Sequence, residues 1–251
     1  MKKYRITKYN PKNRNEEGHY LYDHWTEISD VGKTLEGELV TQKEYFKIEQ
    51  DYINAVIEIL TESKQEYLRL VSYDNDRYID SIKDNVNEWF HDSDFENLNI
   101  YEDKKILLSE IPTIIKLNLR GYIDTSLEIK DQFYIQFGYD FYMYAGTPNL
   151  SQETVERINS TSVFIEEFWS PHYSPDLEYV VESNKKDSMY VEGEQTLKSM
   201  SIDKMKNIFQ LSDEHPGKIY SKLNSEIVNK LGIKADFDKN EYYLTTELKF
   251  E

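Results

Sequence analysis

The chain predicts an α+β fold, in which a mainly antiparallel sheet with packed helices is followed by a smaller C-terminal segment of helix and strand. Three observations carry that prediction. Hydrophobic residues make up 39% and aromatics 14% of the 251 residues, the composition of a folded chain. Between residues 41 and 60 apolar side chains recur at helical spacing. Between residues 122 and 169 the pattern runs strand, strand, strand, helix, strand.

Residues 3–9 alternate as a strand that Asn10-Pro11 ends, and a polar, glycine-punctuated loop holding Trp25 runs from 12 to 35. Thr41 followed by Glu44 has the spacing of a capping box and opens a helix to about Leu60. Tyr45, Ile48, Tyr52, Val56 and Ile59 form its apolar stripe, widened by Ile53, Ile57 and Leu60. A strand is predicted over 67–73, then an acidic stretch over 84–103 interrupted by Trp89 and Phe90. A helix over 109–119 accommodates Pro112 in its first turn, where a missing N–H does no harm. Strands over 122–129, 133–137 and 140–145 follow, punctuated by Gly138 and by Gly146-Thr147-Pro148. Ser151 caps a helix to Ile158, and 162–169 returns as a strand. Ser170-Pro171 and Ser174-Pro175 mark a boundary, giving an α+β domain over 1–175 and a helix-helix-strand segment over 176–251. In that segment 202–211 and 218–231 read as helices, Gly232 as a cap and 242–250 as a closing strand.

Charge is the most informative chemical feature. The 47 Asp and Glu outnumber 30 Lys and Arg, for a formal net charge of −17, and there is no cysteine. Zero cysteines excludes disulfides, cysteine-zinc sites and thiol catalysis together. The first residues lack the apolar run of a signal peptide, and no stretch approaches the ~20 apolar residues of a membrane span, so a cytoplasmic protein without a membrane partner is expected. A polyanion repels nucleic-acid phosphates, so direct nucleic-acid binding is disfavoured. The exception is the first 14 residues, where Lys2, Lys3, Arg5, Lys8, Lys12 and Arg14 stand without an acid, a segment expected to pair with acids of its own fold.

Certain local words carry a resemblance: Tyr4-Arg5-Ile6-Thr7-Lys8-Tyr9-Asn10-Pro11, Trp25-Thr26-Glu27-Ile28-Ser29-Asp30-Val31-Gly32-Lys33, Gly138-Tyr139-Asp140-Phe141-Tyr142-Met143-Tyr144 and Phe168-Trp169-Ser170-Pro171-His172-Tyr173. Over roughly residues 1–60 and 130–173 the chain resembles a group of small uncharacterised cytoplasmic proteins of Bacillus-like bacteria. That resemblance implies a bacterial cytoplasmic origin and no particular activity. It stops before the C-terminal residues.

Catalytic parts are sparse. Gly32-Lys33-Thr34 looks like the end of a phosphate-binding loop, but the required glycine five positions earlier is Glu27. His19, Asp23 and His24 share one loop without a clear third ligand, and His91-Asp92 with Asp94 lacks partners from other helices. Glu247-x-Lys249, preceded by Asp236 and Asp238, has the spacing of some metal-dependent nuclease cores, and Asp124 with Glu128-x-Lys130 offers a second copy. Two copies argue for chance in a chain that is 31% charged. Glu166 and Glu167 are adjacent in a strand, hence on opposite faces, and do not act on one substrate together.

The binding case rests on charge and rings together. From 151 to 194 ten acids stand against Arg157, Lys185 and Lys186, contributing −7 of the −17. Tyr and Trp give contact area at low entropy cost, and carboxylates steer a cationic partner. The expected partner-binding residues are Glu166, Glu167, Trp169, Tyr173, Asp176, Glu178 and Tyr179, with no catalytic residue, metal or cofactor. The function expected is an acidic, non-enzymatic binding protein: an immunity-type inhibitor neutralising a basic bacterial toxin, its carboxylates standing where phosphates would go. The alternatives are a phage-encoded inhibitor of a host nucleic-acid defence system acting by the same mimicry, and a metal-dependent nuclease.

Overall fold

The structure, a computed structural model, describes residues 1–21, 24–74, 98–170, 176–186, 188 and 190–249. It is α+β: a seven-stranded antiparallel sheet, a four-stranded antiparallel sheet, a two-stranded hairpin of β2 (Thr34–Leu35) and β3 (Glu38–Leu39) and, among the described residues, five helices. The long helix α1 (Gln42–Glu62) starts where Thr41 accepts a hydrogen bond from the Glu44 N–H at 3.2 Å. Its stripe of Tyr45, Tyr52, Val56 and Ile59 is fully buried. Helices α2 (Ile111–Leu119) and α3 (Gln152–Asn159) complete that layer, α3 being capped by Ser151 as its sequence predicts.

The large sheet runs β5 (Lys105–Leu107), β4 (Tyr67–Asp74), β6 (Asp124–Ile129), β7 (Phe133–Phe137), β8 (Met143–Thr147), β1 (Lys2–Thr7) and β9 (Phe164–Glu167). Alternation divides it into two chemically distinct faces. Tyr4, Ile6, Leu70, Leu127, Ile135 and Met143 point into the core beneath the helices. The opposite face carries Arg5, Arg69, Ser126, Glu128, Tyr134 and Glu166, read from the strand register. Gly146 is required there, because a Cβ at that position would lie 2.1 Å from the Tyr134 ring.

The four-stranded sheet, ordered β11 (Val191–Thr196), β10 (Leu177–Lys185), β13 (Asn240–Leu248) and β12 (Ser221–Lys222), uses only residues from 177 onward. Helices α4 (Ile202–Phe209) and α5 (Ser225–Leu231) cover one face, enclosing a second core of Tyr179, Val181, Met205, Val228 and Leu244. Two expectations change here. Strands β10 and β11 are additions, and β11 reads Val-Glu-Gly-Glu-Gln-Thr with every residue at least partly exposed, so no apolar alternation announces it. The helix expected over 218–231 begins only at Ser225, because Ile219 and Leu223 are buried from extended backbone and Asn224 caps the helix by accepting from the Ile227 N–H at 3.0 Å.

The two cores meet through polar groups on the charged face. Lys218 donates to Glu128 at 2.8 Å with side chains 8% and 2% exposed. Glu214 accepts from Arg69 at 2.8 Å and from the Tyr67 hydroxyl at 2.6 Å. His215, fully buried, accepts the Gly217 N–H at Nδ1, so Nε2 holds the proton and donates to Glu102 at 2.8 Å. Asp103 receives the N–H and hydroxyl of Ser212.

A second buried ion pair fastens α1 to the end of α2: Arg120 donates to both oxygens of Glu49 at 2.6 and 2.7 Å, side chains 6% and 4% exposed. Removing one partner leaves an uncompensated buried charge, so Glu49→Ala is expected to destabilise the protein by roughly 3–5 kcal/mol. Denaturant unfolding measures this. A loss below about 1 kcal/mol would mean that the pair is hydrated and structurally dispensable.

Candidate partner-binding face

The seven residues expected to bind a partner do not form one patch. Glu166 faces inward onto the charged side of the large sheet, where Arg5 Nη2 and Arg14 Nη2 both reach its Oε1 at 2.6 Å. The Arg5 guanidinium stacks 3.9 Å from the Phe168 ring centroid, and Arg14 also donates to the Tyr20 hydroxyl at 2.6 Å. Hydrogen bonding from Arg14, then from Arg5, holds the Glu166 carboxyl below the usual range. Glu167, on the other face, pairs with Lys2 at 2.6 Å in solvent. The basic N-terminal segment thus takes up the two acids that the sequence offers most prominently to a partner.

Tyr179 requires correction more directly. It is 1% exposed in the second core, its hydroxyl donates to the Gly217 carbonyl at 2.8 Å, and burial pushes its pKa up to about 12. A ring so placed supplies no contact area to a partner. Glu178 pairs with Lys249 at 2.9 Å, and Asp176 is exposed beside it, its carbonyl accepting the Lys249 N–H. Trp169 is 61% exposed. Tyr173 lies outside the described residues, as do Asp23, His91, Asp92, Asp94, His172 and the acidic stretch before 98.

Carboxylates do converge on the outer face of the C-terminal sheet, and the register shows how. Glu182 on β10 stands directly opposite Glu194 on β11, and Glu178 directly opposite Glu247 on β13. Glu241 joins them one pleat beyond Tyr243, with Lys222 paired to Glu241 and Lys249 to Glu178. Glu194 and Glu247 are exposed, while Glu178, Glu182 and Glu241 are half-buried. Like charges directly opposite across strands oppose folding. Asn184, on the same face and 7% exposed, has a buried Oδ1 without a hydrogen-bond donor. The arrangement therefore concentrates five carboxylates on one face, which is the chemistry of a surface complementary to ammonium and guanidinium groups. Sequence reasoning missed Glu182, Glu194 and Glu247 as a unit because their adjacency comes from strand pairing across up to 69 positions, the separation of Glu178 and Glu247.

The candidate catalytic groups are dispersed. Glu128 is consumed by Lys218, Lys249 by Glu178, and Asp236 pairs with Lys239 at 3.5 Å. Among the described residues no three His, Asp or Glu side chains are grouped to hold a metal ion, and no helix is long and apolar enough to cross a membrane. Comparison with protein-family models, curated proteins and solved structures returns no match.

The clamp on Glu166 predicts a pH response. Its folded-state pKa is depressed, so its contribution is complete above the ordinary carboxylate value near 4.5 and fades as pH falls below that value. Unfolding free energy measured between pH 6 and 3 should fall less steeply in Glu166→Gln than in the wild type. Parallel profiles would show that the two arginines do not stabilise the carboxylate.

Proposed function

We propose that this protein is a non-enzymatic inhibitor of immunity type, which neutralises a basic bacterial toxin by docking it against the outer face of the C-terminal sheet. The observation that carries the reading is the pair of like-charge juxtapositions, Glu182 with Glu194 and Glu178 with Glu247. Glu178 already has Lys249 as a partner in the isolated chain, while Glu194 and Glu247 stand exposed, and a lysine or arginine brought beside them by a partner adds attraction. Exposed Trp169, Glu167 and Asp176 are the remaining sequence-derived candidates for contact outside this face. The excess of carboxylates at −17 speeds encounter with a cationic partner, in a salt-dependent manner.

The test is a trade between stability and binding. The double variant Glu194→Lys, Glu247→Lys should unfold at higher denaturant than the wild type, by several tenths of a kcal/mol to about 1 kcal/mol. Tagged wild-type protein should retain a stoichiometric basic protein from host lysate at low salt, release it at high salt, and protect cells expressing that protein. The same variant should lose both retention and protection. A partner held equally well by the variant, or no basic partner at either salt, would overturn the reading.

A further inference from the structure

The basic N-terminal segment sets one cation apart from the rest. Lys2, Arg5 and Arg14 each reach a carboxylate of β9. Lys8, the first residue after β1, does not. Among the described residues its Nζ makes no hydrogen bond and no ion pair, and it lies over two aromatic faces instead, 4.0 Å from the centroid of the Trp25 ring and 4.3 Å from that of Tyr9. Both rings are held from behind. Trp25 is 4% exposed, packs edge-on against Phe141 at 4.9 Å and donates from Nε1 to Glu44 at 3.3 Å. Tyr9 is buried, donates to the Asp140 carbonyl at 2.8 Å and is flanked by the Tyr20, His24 and Tyr142 rings at 5.2–5.5 Å. The Lys8 side chain between them is partly buried, but its nitrogen is not sealed from solvent, so a small molecule can reach it.

Three carboxylates act on this amine without pairing with it: Glu44 on α1, Asp30 in the single turn Ile28–Asp30, and Asp140 in the turn joining β7 to β8. Two of them are engaged elsewhere. Glu44 accepts from Trp25, while Asp30 accepts the N–H groups of Thr26 and Glu27 and pairs with Lys33 at 3.0 Å. Burial lowers the pKa of Lys8 to about 7, against the pull of those acids, to which the ring faces add. A large share of the amine is therefore unprotonated at neutral pH, where an ordinary lysine near 10.4 has roughly 0.04% in that form. The unprotonated form carries the lone pair that reacts with carbon electrophiles.

We propose that Lys8 is a nucleophilic amine that captures small uncharged aldehydes as imines. The nitrogen lone pair attacks the carbonyl carbon, one N–H proton passes through solvent to the carbonyl oxygen, and the carbinolamine loses water to leave a C=N bond. An amine and an aldehyde become an imine and water, with no oxidant or reductant involved. The imine nitrogen then takes up a proton. The surroundings select this product, because a protonated imine keeps the positive charge that two ring faces and three acids stabilise, whereas an amide loses it and a carbamate reverses it. The same acids repel aldehydes that carry a carboxylate or phosphate. The site shares no residue with the outer face of the C-terminal sheet, so it stands or falls separately from the inhibitor reading.

The probe is n-butyraldehyde, incubated with the full chain and trapped by cyanoborohydride as a butylamine, each lysine being followed by peptide mass spectrometry. At pH 7 Lys8 should be butylated at least about tenfold faster than the exposed Lys2 and Lys12. The ratio of Lys8 to Lys12 labelling, which cancels the pH dependence of trapping, should fall steadily as pH rises from 7 to 9.5. Asp140→Asn removes one of the acids that hold the proton on Lys8 and should raise that ratio about twofold at pH 6. Glyoxylate, an anionic aldehyde, should show no preference for Lys8. Lys8→Met should remove the fast adduct with the circular dichroism unchanged; if that variant does not fold, the wild-type ratio decides alone. Lys8 labelled no faster than Lys12 at pH 7, a ratio that does not change with pH, or an equal preference with glyoxylate would overturn the proposal.

Discussion

The large sheet has one apolar face and one charged face, and the need to satisfy both organises the rest of the molecule. The apolar face is covered in the ordinary way by α1, α2 and α3. Charges on the other face, Arg5, Arg69, Glu128 and Glu166, tolerate burial only with partners of opposite sign. Those partners come from elsewhere in the chain: Arg14 from the N-terminal loop, and Glu214 and Lys218 from the C-terminal unit. The seam between the two cores is therefore electrostatic, and its hydrogen bonds fix one relative orientation where apolar packing would permit several.

Charge is distributed by the same logic. Inside, acids and bases are matched nearly one to one in pairs such as Glu49–Arg120 and Glu128–Lys218. Outside, the C-terminal sheet sets carboxylates directly across from each other without an equal number of lysines. Among the described residues the buried ion pairs cancel, so they add nothing to the excess of acid that the surface carries. Surface carboxylates of that kind shape association more than fold stability.

Much of the fold was legible in the sequence where local signals were strong. Thr41 with Glu44, the stripe from Tyr45 to Leu60, Ser151 before α3 and Gly232 after α5 each specify a terminus or a buried face by near neighbours alone. Gly232 has φ of +72°, a conformation that glycine adopts without steric cost. The hydrophilic strand β11 and the late start of α5 were not legible, because their stability comes from pairing with β10 and from burying Ile219 and Leu223. Local propensity yields to tertiary contact in such segments.

The residues proposed for partner contact show the same division. Sequence alone determined that acids and aromatic rings abound near residues 151–194, and that the first 14 residues are basic. Tertiary structure decided which acids remain available. It set Glu166 against Arg5 and Arg14, placed Tyr179 in a core, and assembled Glu178, Glu182, Glu194 and Glu247 on one face through strand register. Composition counts charges, but the strand order and register decide whether each charge meets its opposite or its like, because Coulomb energy depends on separation in space and not along the chain.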